Sequence, residues 1–142
     1  MNIRLERVQG ALPAAFNELR AEARAEGYGM LDTLAAQWAS GANRFDQPGE
    51  VLFAAYVDDV LAGVGGLTVE PALPGAFRIR RFYLRRQFRR LGMGRQIALA
   101  VLEQSGGRPV TCNAAAGSAG FWEALGFVPD RRNGRTHTHI LA

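Results

Sequence analysis

The sequence predicts an α/β fold: a single domain, residues 1–142, with a mixed, mostly antiparallel twisted sheet flanked by helices on both faces. Its 142 residues suit one domain around one hydrophobic core. Strand and helix patterns follow one another in the order β-α-α-β-β-β-α-β-α-β-β. Two apolar runs, 51–57 and 60–69, are joined by Asp58-Asp59 as a hairpin, which requires antiparallel pairing.

The first half of the chain predicts a strand and two helices ahead of this hairpin. Residues 3–5 alternate apolar and charged side chains, as a short strand does. Apolar residues at helical spacing indicate a helix over 13–27, which begins at a proline and ends at a glycine. A second helix is expected over 32–41.

The second half predicts four strands and two helices, and bounds can be given for three of the strands, both helices and one joining loop. They are a strand at 77–84, a loop at 85–92, a helix at 93–105, a strand at 109–113, a helix at 119–125 and a strand at 136–141. Glycines after both helices are typical stops.

Arginine supplies every side-chain cation, because the sequence contains no lysine. This absence excludes a Walker A loop and a Schiff-base lysine. The net charge of +4 favours an anionic partner, and eight of the eighteen residues in 78–95 are arginine. Outside that stretch, a solvated surface accounts for the charge equally well.

The single cysteine, Cys112, excludes an internal disulfide and a multi-cysteine zinc site, and it favours a reducing, cytoplasmic location. No apolar run is long enough to cross a bilayer and the N-terminus lacks a signal-peptide pattern, so no membrane partner is expected. His137 and His139 share one strand face without an evident third ligand. We therefore expect structural histidines and no metal.

The loop Arg89-Arg-Leu-Gly-Met-Gly94 has the layout of an anion site, because it connects a strand to the start of a helix. Unpaired amides at a helix start face an anion, and glycines let the backbone approach it closely. Arg89 adds a bidentate contact. The alternative is a plain glycine turn, and Ile97 in the third glycine position excludes a dinucleotide-binding fingerprint.

Two motifs in this order resemble the GNAT N-acetyltransferase family. Residues 89–94 resemble its acyl-CoA-binding motif A, and Ser118-Ala-Gly-Phe-Trp-Glu-Ala-Leu-Gly-Phe127 resembles its motif B. The resemblance implies a GNAT-like acyl-CoA N-acyltransferase fold and acetyl-CoA as co-substrate. It also implies direct transfer of the acetyl group to a primary amine, without a covalent enzyme intermediate.

The resemblance also implies site residues, in a gap between the strands before and after the loop. The cofactor-binding set is Phe82, Leu84, Arg89, Arg90, Leu91, Gly92, Met93, Gly94, Arg95 and Trp122. Backbone groups of Phe82 and Leu84 would pair with pantetheine, and the Leu84 N–H would stabilise the oxyanion. Trp122 replaces the family's usual tyrosine acid, so it either packs against pantetheine or joins the core, and the leaving thiolate takes its proton from water.

The acceptor side is less defined. Arg78 and Arg80 favour a small-molecule or peptide amine that carries a carboxylate or phosphate, although a solvated sheet face explains them equally well. Glu70 is a candidate base acting through water, with a plain loop carboxylate as the alternative. Tyr83 either lines the acceptor pocket or packs.

Two other functions fit the same residues. A degenerate acyl-CoA-binding sensor is motivated by Trp122 and by Ala115, where the family often has asparagine. A nucleic-acid-binding module would use the arginines of 78–95, but these straddle a glycine turn, so no nucleic-acid partner is expected. The sequence leaves a homodimer open.

Overall fold

A seven-stranded sheet in the order β1-β2-β3-β4-β5-β7-β6 forms the centre of the structure, a computed structural model that describes residues 2–140. The strands are β1 Ile3–Arg7, β2 Val51–Val57, β3 Val60–Val69, β4 Phe77–Leu84, β5 Val110–Cys112, β6 Val128–Pro129 and β7 His137–His139. The helices are α1 Phe16–Ala25, α2 Met30–Ser40, α3 Met93–Gln104 and α4 Ala119–Ala124, with a 3₁₀ turn at Arg86–Phe88. Among the strands of residues 2–140, only β4 and β5 pair in parallel. The predicted fold class is confirmed.

The sheet separates two apolar clusters, one on each face. Helices α3 and α4 cover one face, where Ile97 and Val101 are fully buried. Helices α1 and α2 cover part of the other face with Leu19, Leu34 and Trp38. Each helix turns a stripe of apolar residues at helical spacing towards the sheet, so packing on both sides stabilises it.

A β-bulge in β4 sets the direction of its side chains. Gly66 of β3 pairs with Arg80 of β4, and Val64 pairs with Tyr83. Two residues of β4, Arg81 and Phe82, therefore lie opposite the single residue Gly65. Arg81, one of the two, has φ +57°. An extra residue reverses the alternation of a strand. Phe82 and Leu84 therefore face α3 together with Phe77 and Ile79, whereas Tyr83 packs on the α1 side.

Glycines in β3 let large side chains of neighbouring segments lie across the strand. A Cβ atom added to Gly65 would stand 2.7 Å from Cγ2 of Ile97 and 2.9 Å from Cδ2 of Phe82. One added to Gly66 would collide with the ring of Phe45. These two positions require glycine because rings and backbone approach each other closely there.

Strands β4 and β5 separate soon after they begin. Their pairing is limited to Phe77 with Val110 and Arg78 with Thr111, although β4 continues to Leu84. The rest of β4 therefore has no strand on that side, and a gap opens towards its carboxyl end, where α3 starts. Within residues 2–140, no helix has both the length and the apolar content to cross a bilayer.

Candidate functional site

Leu84 presents its backbone groups to the gap between β4 and β5. The N–H of Arg85 donates to the Ala62 carbonyl at 2.8 Å, and Val64 lies opposite Tyr83. Backbone groups alternate in direction along an antiparallel pair. The N–H and carbonyl of Leu84 therefore point away from β3, on the side that β5 has left. Its side chain is 9% exposed and packs in the α3 cluster.

Backbone amides accumulate at the start of α3, next to this gap. In the described part of the chain, none of the six successive N–H groups of residues 90–95 donates to a protein acceptor. Arg90 has φ +66° and Gly92 has φ +81°, which turn the chain sharply before the helix. A helix start with free amides and a positive dipole end attracts anions. The loop thus has the geometry of an anion site.

The two glycines of this loop have different surroundings. A Cβ atom on Gly92 would meet no atom within 4 Å, so the space above it is open. A Cβ atom on Gly94 would stand 3.3 Å from Cε1 of Phe121 and 3.9 Å from Cδ2 of Leu84. Gly94 therefore places the first turn of α3 directly against the end of β4.

Arg89 is already paired within the protein. Its Nη1 and Nη2 donate to the two carboxylate oxygens of Glu26 at 2.9 and 2.7 Å, and its Nε donates to the Leu84 carbonyl at 3.0 Å. This bidentate pair fixes the guanidinium against α1. The sequence predicted that Arg89 binds the cofactor, and this role stays a prediction. Three N–H groups of its guanidinium already donate within the protein.

Tyr83 joins the same cluster. Its hydroxyl donates to Glu26 at 2.5 Å and its ring is 3% exposed. Burial, and next the hydrogen bond to Glu26, raise the pKa of Tyr83 well above its ordinary range. The phenol therefore stays protonated at neutral pH and acts as a hydrogen-bond donor, not as a base.

Helix α1 carries a row of glutamates that face the loop. Glu18, Glu22 and Glu26 are spaced four residues apart, so they lie on one side of the helix. Arg85 lies 3.9 Å from Glu18 and 3.4 Å from Glu22, and Arg89 lies 2.7 Å from Glu26. Sequence analysis missed this contact. The matching four-residue spacing of glutamates and arginines was the available signal.

Replacing Glu26 with glutamine should lower the free energy of unfolding at pH 7 by about 1–2 kcal/mol. Hydrogen bonds from Arg89, then from Tyr83, hold the pKa of Glu26 below its ordinary value of 4.5. A depressed carboxyl pKa contributes stability above the ordinary value, and that stability is lost as pH falls through the folded-state pKa. Urea unfolding of both proteins at several pH values should therefore show a difference that narrows below about pH 4. Exposed Glu103→Gln is the control, and an equal loss in both variants would contradict the assigned role of Glu26.

Glu70 lies far from Leu84 along the sheet. Its side chain is 3% exposed and accepts a hydrogen bond from the Thr111 hydroxyl at 3.3 Å. Thr111 pairs with Arg78, six residues before Leu84 and roughly 17–20 Å away at the usual rise of a strand. The structure therefore does not bring Glu70 together with the Leu84 N–H. Arg78 and Arg80 lie on the sheet face opposite α3.

Trp122 lies in an aromatic cluster under the gap. It is 5% exposed, and its ring centroid lies 5.0 Å from that of Phe82, 4.9 Å from Phe121 and 5.4 Å from Phe127. Such edge-to-face contacts favour a fixed ring. Of the two alternatives for Trp122, packing in the core describes its surroundings.

The remaining candidate residues have structural partners. His137 contacts Glu123 at 2.8 Å through Nε2 and Thr136 at 2.7 Å through Nδ1, and His139 packs on Phe127. Burial raises the pKa of the Cys112 thiol to about 12, so it is not a nucleophile at neutral pH. Among residues 2–140, no three His, Cys, Asp or Glu side chains converge as metal ligands.

One family model and several solved structures are similar to this chain. The family model described as "Acetyltransferase (GNAT) domain" matches residues 20–141, whereas no curated protein sequence matches the chain. A structure from Exiguobacterium sp. 255-15, assigned as an acetyltransferase, has a TM-score of 0.88 at 20% identity and covers 99% of this chain and 94% of its own. A GNAT-family acetyltransferase from Staphylococcus aureus Mu50 has a TM-score of 0.70 at 11% identity, with 99% and 100% covered. The PaiA N-acetyltransferase of Thermoplasma acidophilum, in complex with coenzyme A, has a TM-score of 0.61 at 12% identity, with 99% and 100% covered.

Proposed function

Because the chain belongs to the GNAT acetyltransferase family, whose fold implies acyl transfer from acetyl-CoA, we propose that it acetylates a primary amine. The observation that carries this proposal is the row of six free amides at residues 90–95, directly beside the gap that ends at Leu84. The amides of residues 90–95 accept an anion, and the edge of β4 in the gap presents free backbone groups for hydrogen bonds. Together they fit a ligand with a pyrophosphate and a thioester.

The loop and strand divide the binding of acetyl-CoA between them. The amides of residues 90–95 and the dipole of α3 hold the pyrophosphate, with Arg90 and Arg95 exposed beside it. The backbone of Phe82 pairs with the amide groups of pantetheine, and the Leu84 N–H remains for the thioester because Arg89 already binds the Leu84 carbonyl. Arg89 acts mainly through Leu84, because its Nε holds the Leu84 carbonyl while Glu26 occupies its other nitrogens.

Acetyl-CoA supplies an acetyl group that its thioester already activates. In this proposal the Leu84 N–H donates to the thioester carbonyl oxygen as negative charge develops on it, and such a donor typically lowers the barrier by about 3 kcal/mol. Binding both reactants in the gap aligns the amine for direct attack. The buried Cys112 thiol, with its raised pKa, supports a route without an enzyme-bound acyl group.

Proton transfer relies on water in this proposal. Trp122 is enclosed by aromatic rings and its indole is no acid at neutral pH. A thiol such as that of cysteine has a pKa of about 8.5, so the sulfur of CoA can leave as the thiolate and take its proton from water afterwards. Since Glu70 is remote from Leu84 and the pKa of Glu26 is depressed, a neutral amine from solution is the attacking species.

The test combines binding with turnover. Acetyl-CoA at 100 times its Kd should raise the free energy of unfolding by about 2.7 kcal/mol, and an amine panel should release free CoA thiol. Stabilisation without turnover on any amine would instead support an acyl-CoA sensor. Absence of stabilisation together with steeply salt-dependent oligonucleotide binding would overturn the proposal.

The basic stretch itself favours a cofactor over a nucleic acid. Arg85 and Arg89 are paired with glutamates of α1, and Arg78 and Arg80 are partly buried on the sheet. The arginines of 78–95 therefore do not form the continuous exposed stripe that a nucleic-acid backbone requires.

A further inference from the structure

Three arginines of β4 lie together on the sheet face opposite α3 and have almost no partners. Arg78, Arg80 and Arg81 are all partly buried. Within residues 2–140, no carboxylate oxygen lies within 4.0 Å of their nitrogens. In the described part of the chain, the single hydrogen bond formed by their side chains joins Nη2 of Arg81 to the Gln37 side chain at 3.1 Å. We call these three residues the arginine face.

Unsatisfied polar atoms concentrate at this place. Six buried side-chain polar atoms of the described chain lack a hydrogen-bond partner, and three of them belong here: Nε of Arg78, Nε of Arg81 and Oγ1 of Thr68. Thr68 and Arg78 are cross-strand neighbours. A buried donor without an acceptor destabilises the fold, so three of them in one area indicate a missing acceptor.

The positive charge of the arginine face also indicates that an anionic acceptor is missing. Burial and the proximity of the other guanidinium groups lower the pKa of Arg81 to about 10 and lower that of Arg80. The charges of Glu50 and Glu70 act on Arg80, but backbone N–H groups bind Glu50 and Thr111 binds Glu70, and Asp46 lines the same cavity as Arg80. An oxyanion would offset this local excess of positive charge, and guanidinium groups match it with paired hydrogen bonds.

Space for a small molecule adjoins the arginine face. The residues that line a cavity of about 270 Å³ include Arg80, Arg44, Gln37 and Asn43, and also Asp46 and Glu50. Arg80 and Arg81 stand three to four residues before Leu84, roughly 10–13 Å along the strand. A molecule with an anionic end on these arginines therefore reaches the gap with its other end.

We propose that the arginine face binds a carboxylate or phosphate group of the acceptor, several bonds from the amine that is acetylated. This inference rests on the proposed acetyl transfer and names its substrate class. The bulge at Arg81 contributes, because it brings two adjacent arginines towards the same region while Phe82 and Leu84 turn to the other face.

The first test compares matched amines by release of CoA thiol. The pairs are 5-aminopentanoate with 5-aminopentanamide and O-phosphoethanolamine with ethanolamine. We expect kcat/KM at least about tenfold higher for the anionic member of one pair, which also tells carboxylate from phosphate. Arg80→Gln and Arg81→Gln should remove that preference and leave the Kd for CoA unchanged. Equal use of both members, or an equal fall for both in the variants, would overturn the proposal.

The second test needs no turnover and separates the two proposals. Inorganic phosphate or 5-aminopentanoate is added to protein saturated with CoA, and the shift in Tm is measured. We expect a rise that Arg80→Gln and Arg81→Gln abolish and that exposed Arg131→Gln retains. If this rise occurs but no amine is acetylated, the anion site stands and the proposed transfer falls. If neither probe shifts Tm, the arginine face is not an anion site.

Discussion

Glutamate at Gly92 or Gly94 should weaken CoA binding by about 100-fold or more, which is about 2.7 kcal/mol. A side chain on Gly92 points into open space, the space that the proposed pyrophosphate occupies, and a carboxylate there repels it. At Gly94, the added Cβ also crowds Phe121 at 3.3 Å. Isothermal titration with CoA measures both effects.

Gly107→Glu is the matched control for Gly92→Glu. Both glycines have positive φ, +84° and +81°, and an added Cβ meets nothing within 4 Å at either site. The two variants therefore carry the same backbone strain and the same new charge, at opposite ends of α3. Unchanged affinity in a folded Gly92→Glu protein, or an equal loss in Gly107→Glu, would contradict the placement of the pyrophosphate.

Proline at Leu84 should lower kcat by about 10²- to 10³-fold, because it removes the N–H assigned to the oxyanion. That N–H points away from β3, so proline breaks no bond to β3, and the Arg85 N–H still donates to Ala62. The residue before it, Tyr83, is already extended, as proline requires. Steady-state kinetics at saturating acetyl-CoA measure the loss.

Leu84→Ala separates the backbone from the side chain. Leu84→Ala keeps the N–H, but like Leu84→Pro it loses the packing of the leucine side chain against the α3 cluster. The ratio of kcat between the two variants therefore measures the contribution of the N–H. Circular dichroism checks that both are folded. If Leu84→Ala loses as much kcat as Leu84→Pro, packing explains the defect and the N–H is not the oxyanion donor.

The sequence was sufficient to predict the secondary-structure elements and the loop that precedes α3. Helix α3 and strands β2, β3 and β4 were predicted within one residue of their observed ends, because glycines, a tight turn and apolar periodicity mark them locally. The free amides at 90–95 follow from the predicted start of α3, since the first N–H groups of any α-helix have no intrahelical acceptor.

Contacts between distant segments were not predictable in this way. The pairing of Arg89 with Glu26 joins residues 63 positions apart, and it depends on how α1 packs on the sheet. The bulge at Arg81 depends on β3, where a glycine gives β4 room for an extra residue. Strict alternation from Phe77 would have placed Phe82 and Leu84 on the wrong face. The distance between Glu70 and Leu84 could likewise be obtained only from the register in which β4 and β5 pair.

Because β4 and β5 pair over so short a length, a ligand bound between them would stabilise the folded protein. Within residues 2–140, the strand pairing of β4 with β5, which joins the four N-terminal strands of the sheet to the three C-terminal ones, consists of two residue pairs. If acetyl-CoA occupies the gap as proposed, it bridges this junction, and its concentration enters the folding equilibrium. Proteases act on the unfolded fraction, so a cell with little acetyl-CoA would hold less of the protein.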